Sequence, residues 1–569
     1  MILFFFLISK STSCSQTVVI SPSEGIDYVA PTAYRECTEL QTLIINEGIT
    51  LLGNEAFYGC SQLTTISFPS TLRTIKMNCF YFCTSIASLT LPEGLEHIES
   101  SAFRSCTSLT SISLPSTLHT IEIVAFQDNY LLTSITFPNG NPYFSTSNLL
   151  IYTNEKIIMG SNALTSIVFP DIPTITTIYT HAFVFCKNIV SIVIPSSINS
   201  IETRSFYMCT SVVSFELGEN IDTFNQDALE GCSSLQNINV NSNNAYFASK
   251  DGVLFSKNYE KLIFYPLERT SNTYEIPAQT SSIAASAFQK KTITKLTVNS
   301  QNPYLIAKND AVFSIDELTL VKVPPGHVTF TIPSTVVNID VGAFYLNWMT
   351  SVTIPSSVRT ILSEAFAFSS IASITIPETV EILEHSVFRN SYLVNAYIKC
   401  KITTIEHTMF QLSSLLISVE IPDTVTVFEV CSFSNCRLLQ SVNFPPYLKT
   451  IQESEFYFCT SLITPVFPDT VTYIGEMSFE SCLAFDHIVI PKNVVLVDDY
   501  AFSTCTNVLS VTFSNCNTLN KTNTFYSILN LQKFECVSSK TFTAHFSLRK
   551  IPNKMKWIGL LLSQLVHDV

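Results

Sequence analysis

Seventeen cysteines and nine histidines are the side chains here best suited to nucleophilic, redox or metal chemistry, and their spacing decides which of these is open to them. Cys37, Cys60, Cys83 and Cys106 recur every 23 residues, as do Cys186, Cys209 and Cys232, and Cys436, Cys459, Cys482 and Cys505. One phase shared by so many cysteines describes a stacked ladder of small apolar side chains. Parallel, in-register side-chain vectors suit disulfide geometry poorly, so these residues read as free structural thiols. Cys79/Cys83 and Cys431/Cys436 lack the paired spacing of a zinc site, and no metal site is expected. The histidines (His97, His119, His181, His327, His385, His407, His487, His545, His567) fall at scattered phases, so stacking is not expected to gather them. Asp498-Asp499 reads as a solvated loop at the end of a coil rather than a cation site. G-x-S-x-G, H-E-x-x-H and G-x-x-x-x-G-K-[ST] are all missing, and the chain reads as non-enzymatic, with no catalytic residue and no cofactor.

The cysteine phase belongs to a repeat that runs through most of the chain. Its pattern is L-x-x-I-x-[ILF]-P-x-x-[LV]-x-x-I-x-x-x-A-F-x-x-C, and its anchor is the Phe that follows Ala. Phe57, Phe80, Phe103 and Phe126 stand 23 residues apart, with Tyr34 one period earlier; Phe183, Phe206 and Leu229 follow, then Phe288 and Phe344. Phe366, Phe388 and Phe410 follow at 22, and Phe433, Phe456, Phe479, Phe502 and Phe525 at 23. Leu109, Ile112 and Leu114 end in the alternation of a strand, and Pro115 ends that strand because it has no N–H for a ladder. One unit cannot bury its own apolar face, whereas stacked units bury a shared core. Three longer spacings hold related blocks that begin at Asn141, Asn244 and Asn302. Each has two apolar-aromatic runs about a polar turn, the signature of a β-hairpin arm projecting from the stack. Such an arm either covers exposed sheet or supplies binding surface.

Composition fits that picture. The 569 residues are 46% hydrophobic and 13% charged, with net charge −14, and the mean hydropathy is +0.30. No run reaches the roughly 18 apolar residues of a transmembrane span. With 42 Phe and 22 Tyr the chain is far too apolar for disorder, and at pI ≈ 5.1 it is no nucleic-acid binder.

Residues 1–14, with an apolar run followed by Ser11, Ser13 and Cys14, resemble a short secretory signal; the alternative is an apolar end packed on the first coil. Cys14 suits lipid attachment poorly, because Ser11 stands where that signal wants Leu. Residues 15–36 are expected to cap the solenoid and 37–536 to form it, with inserts near 141–160, 244–266 and 302–324. Residues 537–569 form a C-terminal cap or tail, locally basic through Arg549, Lys550, Lys554 and Lys556.

The I-x-[IL]-P, T-I and A-F-x-x-C elements, with the N-P-Y…D-G-V-L-F-S-K blocks, resemble the BspA-like leucine-rich repeat surface proteins over roughly residues 34–536. The resemblance implies a leucine-rich repeat solenoid: a parallel β-sheet on the concave face, short turns or 3-10 segments opposite, and β-hairpin inserts. It further implies a cell-surface or secreted antigen that adheres to host extracellular-matrix, cell-surface or microbial proteins, with glycan as a further partner class. An intracellular scaffold, cytoplasmic and regulatory, is the alternative. Exposed strand positions (Ser67, Thr90, Ser113, Thr136, Val193, Glu216, Thr353, Thr375, Glu420, Thr512) would line the concave face with hydroxyls; strand propensity of Thr explains the same pattern. Tyr246, Tyr304, Tyr397, Thr353 and Thr375 are the expected partner-binding residues, since aromatic anchors dominate binding energy.

Overall fold

Each repeat folds into a coil with two short strands, placed where its two β-branched runs lie. In the coil that follows Cys83 these are Ser88–Thr90 and His97–Ile98. Pro92 lies between them and ends the first strand, having no N–H to donate. Each strand pairs in parallel with its equivalent one repeat on, Leu89 opposite Ile112 and Ile75 opposite Ile98. A computed structural model describes residues 14–23, 26–515, 519–520, 524–525, 528, 530–537 and 546–547. The apolar run at 1–13, the basic tail beyond 547, His545 and His567 lie outside the described residues. The chain forms two compact units, Met1–Thr270 and Ser271–Val569, and each is a solenoid of such coils.

The anchor rings form the spine of each unit. In the first, the Phe57 and Phe80 centroids lie 5.1 Å apart at 7°, and Phe80 and Phe103 5.2 Å apart at 5°. In the second, Phe433 and Phe456 lie 5.1 Å apart at 3°. All these rings are fully buried. The chain must turn sharply before and after each ring, and residues two before and two after the anchor take left-handed backbone: Asn78 (φ 56°) and Phe82 (φ 61°) flank Phe80. For a residue with a Cβ that conformation costs roughly 1–2 kcal/mol. Hydrogen bonds to the next coil offset it, since Phe80 N–H donates to Ala102 O at 2.8 Å and Phe82 N–H to Arg104 O at 3.1 Å. The side opposite the strands is therefore turn rather than 3-10 helix. Among the described residues the 3-10 segment is Lys257–Tyr259, inside the second insert.

The cysteine ladder completes the spine from below. Cys83 Sγ donates to Phe57 O at 3.2 Å, Cys209 Sγ to Phe183 O at 3.1 Å and Cys459 Sγ to Phe433 O at 3.1 Å. Each thiol thus adds a second donor to the carbonyl of the anchor one coil back, which also accepts the N–H three residues on, as Phe183 O does from Cys186 at 3.2 Å. Asn129 Nδ2 does the same for Phe103 O at 3.0 Å, and Ser413 Oγ for Phe388 O at 2.8 Å. Burial pushes the thiols of Cys106, Cys232 and Cys505 up to about 12, so they keep the proton that they donate. From Cys60 to Cys505 the ladder cysteines are unpaired, as expected. Cys37 corrects the reading: it forms a disulfide with Cys14. Cys536 is disulfide-bonded as well.

The three inserts are antiparallel hairpins, but they do not project as free arms. Leu150–Tyr152 pairs with both Ser145–Ser147 and Lys156–Gly160, and Lys156–Gly160 then runs parallel to Thr177–Ile178 as a member of the second strand row. Thr319–Lys322 joins Asn338–Ile339 in the same way. Their runs are apolar on both faces (Val253, Leu254 and Phe255 are fully buried) and therefore had to enter the core. Hairpin tips also cover strand edges: Ile238 N–H donates to Gly252 O at 2.9 Å, and Leu296 N–H to Asp310 O at 2.8 Å. The first strand row is consequently divided into short blocks of two to four strands within each unit. Residues 464–466 make a further break, where Pro465 removes a ladder donor.

The spine predicts an asymmetry between two substitutions. Cys209→Ser keeps a second donor for Phe183 O, whereas Cys209→Ala leaves that carbonyl only the Cys186 N–H at 3.2 Å, and the lost hydrogen bond costs about 0.5–1.5 kcal/mol. Chemical denaturation of the full chain should show the alanine variant clearly less stable than the serine variant; equal stabilities would remove the thiol from this role.

Candidate interaction surface

The residues best suited to chemistry are arranged for packing. His385 and His407 stack with ring centroids 4.4 Å apart, contrary to the expectation of scattered histidines. They stand 22 residues apart in the stretch where the coil is itself 22 residues long, so they share one phase. His119 lies 6.2 Å from His97 and 4.6 Å from the Tyr143 ring. Among the described residues no three His, Cys, Asp or Glu side chains converge as metal ligands. Asp498 accepts from Tyr473 Oη at 3.0 Å and from Asp499 N–H at 2.8 Å, which ties the acidic pair into its own turn.

Lys322 is the one chemically provocative side chain that the sequence did not single out. Its Nζ donates to Ala285 O and Gly342 O, both at 2.6 Å. Burial pulls its ammonium down to about 7, against the opposing charges of Asp340 and Glu364. A lysine near neutrality could act as a nucleophile, but this one is fully buried and closed to any substrate.

The outward positions of the first strand row form a more open surface. Thr375 lies opposite Tyr397, and Tyr397 opposite Glu420. The Ser351–Ser373 bridge places Thr353 beside Thr375. All three candidates, Thr353, Thr375 and Tyr397, are solvent-exposed. The row carries a few charges: Lys399 pairs with Glu420 at 2.5 Å, and its Nζ sits 5.9 Å from the Tyr397 ring. Apolar residues interrupt the hydroxyls too, Val466 being 90% exposed. Tyr304 belongs to the same unit, on its insert, whereas Tyr246 belongs to the other unit.

The inserts present their tyrosines by one repeated device. Asn244 Nδ2 donates to Gly218 O and Ile221 O at 2.9 Å, and its Oδ1 accepts from Tyr246 N–H at 2.9 Å and Phe247 N–H at 2.7 Å. Asn302 repeats this, with Pro277 O and Thr280 O on one side and the Tyr304 and Leu305 amides on the other, each bond 2.8 Å. Asn141 binds Pro115 O, Ser116 O and Leu118 O and accepts from the Tyr143 and Phe144 amides. One side chain staples the insert to the preceding coil and points the next residue but one outward. Tyr143, Tyr246 and Tyr304 are accordingly 48%, 56% and 53% exposed. Tyr143 was missed although its N-P-Y signal matches that of Tyr304.

A family model described as a BspA type leucine rich repeat region matches residues 27–155, 151–266, 326–440 and 431–548. Among solved structures, a leucine-rich repeat protein from Eubacterium ventriosum is 20% identical, with 70% of this chain and 83% of that one covered and a TM-score of 0.29. A leucine rich cell surface protein from Faecalibacterium prausnitzii is 14% identical, with 93% and 89% covered and a TM-score of 0.22. The pneumococcal vaccine antigen PcpA is 18% identical, with 73% and 78% covered and a TM-score of 0.23. No protein with a curated description matches the chain.

The staple can be tested without a partner. Asn244→Ala removes the donor for two carbonyls and the acceptor for two amides, at about 1–3 kcal/mol for each buried group left unpaired. Hydrogen exchange should quicken at residues 244–264 and stay unchanged at the Asn141 insert. Unchanged exchange at Tyr246 and Phe247 would show that the asparagine does not hold the insert.

Proposed function

The chain belongs to the BspA type leucine-rich repeat family, and from that premise we propose that it is a non-catalytic, cell-surface or secreted protein that binds other macromolecules. The observation that carries the reading is the threefold asparagine staple. A loop that only covered an edge would have no need to hold a tyrosine outward, yet Tyr143, Tyr246 and Tyr304 are all held so. Aromatic side chains on tied backbone make efficient binding anchors, because little conformational freedom is left to lose. The Thr353–Thr375–Tyr397 row adds adjoining hydroxyls on the unit that carries Tyr304. The partner class is a host extracellular-matrix or cell-surface protein, or a glycan, for which stacked rings and hydroxyl donors are suited.

The disulfides support a location outside the cytoplasm. Cys14–Cys37 closes the first coil of the solenoid, and such bonds persist where the surroundings are oxidising. A signal cleavage that preserves this bond falls before Cys14. Among the described residues no helix is long and apolar enough to cross a membrane.

Purified full-length protein should bind members of a panel of extracellular-matrix proteins and glycans, and Tyr143→Ala, Tyr246→Ala and Tyr304→Ala combined should weaken binding by about 30-fold or more, the equivalent of about 2 kcal/mol. Affinity should change little with salt, because few charges line the surface. Full binding by the triple variant would refute the site. Capture of a cytoplasmic partner alone, with no binding to the panel, would favour the intracellular scaffold.

A further inference from the structure

The position just before each anchor faces the core and is held by small or apolar residues, such as Ala56, Ala102, Ala365 and Ala501. Three consecutive coils of the second unit break this rule with Ser432, Glu455 and Ser478. They stack directly, since Phe433 N–H donates to Glu455 O at 3.0 Å and Phe456 N–H to Ser478 O at 2.7 Å. Glu455 is fully buried, and neither carboxyl oxygen has a hydrogen-bond partner; the Ser478 hydroxyl has none either. Ser432 offsets this only in part, because its hydroxyl is engaged with Glu429 O at 2.6 Å. The titratable groups facing Glu455 are Glu429, Cys431, Cys436 and Cys459, with Glu453 beside Cys431; none of them is a cation.

An unpaired carboxylate in such a place is strongly disfavoured, whereas a neutral carboxyl is tolerated. We propose that residues 429–480 form an acid-stabilised segment, locked when Glu455 is protonated and loosened when it ionises. Burial holds the Glu455 carboxyl well above the ordinary carboxylate range, and the Glu429 charge adds to this while Ser432 offsets part of it. Glu480, on the following coil, acts in the same direction, pushed up to about 7 by burial and by Glu476. The sign follows from linkage: a carboxyl raised in the folded state contributes stability below its unfolded value near 4.5, and that stability is lost as pH rises toward the folded value. Lys322 works oppositely on a separate coil, so a measurement resolved by segment keeps the two apart.

The test is hydrogen exchange of the full chain at pH 5 and pH 8, corrected for the intrinsic pH dependence of exchange. Protection across 429–480 should fall from pH 5 to pH 8, by up to about tenfold per pH unit within the titration window. Glu455→Ala, which installs the residue used in other coils, should recover most of the pH 5 protection at pH 8; Glu455→Ser, matching its two neighbours, should do the same, and the remainder should go when Glu480→Gln is added. Glu480→Gln alone should leave most of the pH dependence in place. Equal protection of the wild-type segment at both pH values would overturn the proposal, as would a pH dependence as large as the wild type's in both Glu455 variants.

Discussion

The structure depends on tying down one peptide group per coil, that of the anchor phenylalanine. Phe80 donates its N–H forward to Ala102 O at 2.8 Å, and its carbonyl accepts from Cys106 Sγ at 3.4 Å. Water cannot reach this group, so its bonds must come from the protein: these two cross to the next coil, and Cys83 N–H adds a third within the coil, to Phe80 O at 3.2 Å. That requirement explains several otherwise unrelated features: the left-handed residues on either side of the ring, the small residue before it, and the choice of Cys, Asn or Ser three residues after it. A cysteine is the commonest solution because it is apolar enough to be buried and still carries one weak donor.

The inserts obey the same accounting. Where a block enters the stack, an asparagine side chain serves both the carbonyls of the coil before and the amides of the residues after. Satisfying buried backbone and aiming a tyrosine outward are thus one act. Edge protection and an outward tyrosine occur in the same hairpins.

The spine was fully legible in the sequence because burial selects residue type, and the Phe and Cys phases record it directly. What depends on exact register was less so. The His385–His407 stack follows from a local shift to 22-residue coils, and counting phases at 23 scatters the pair. The staple was visible only as a recurring asparagine, since its hydrogen bonds go to backbone that any residue supplies. The Cys14–Cys37 bond was hidden because phase alone gives Cys37 the same role as the ladder cysteines that follow it. Lys322 and Glu455 carry no motif at all; their surroundings exist only once the coils are stacked.

The most direct test of the coil-to-coil account is native-state amide exchange of the whole chain, compared residue by residue. The anchor amides of Phe57, Phe80, Phe103, Phe206 and Phe366 should be among the slowest in their units, far slower than the exposed turn amide of Asn139. Anchor amides that exchange as fast as that turn would contradict it.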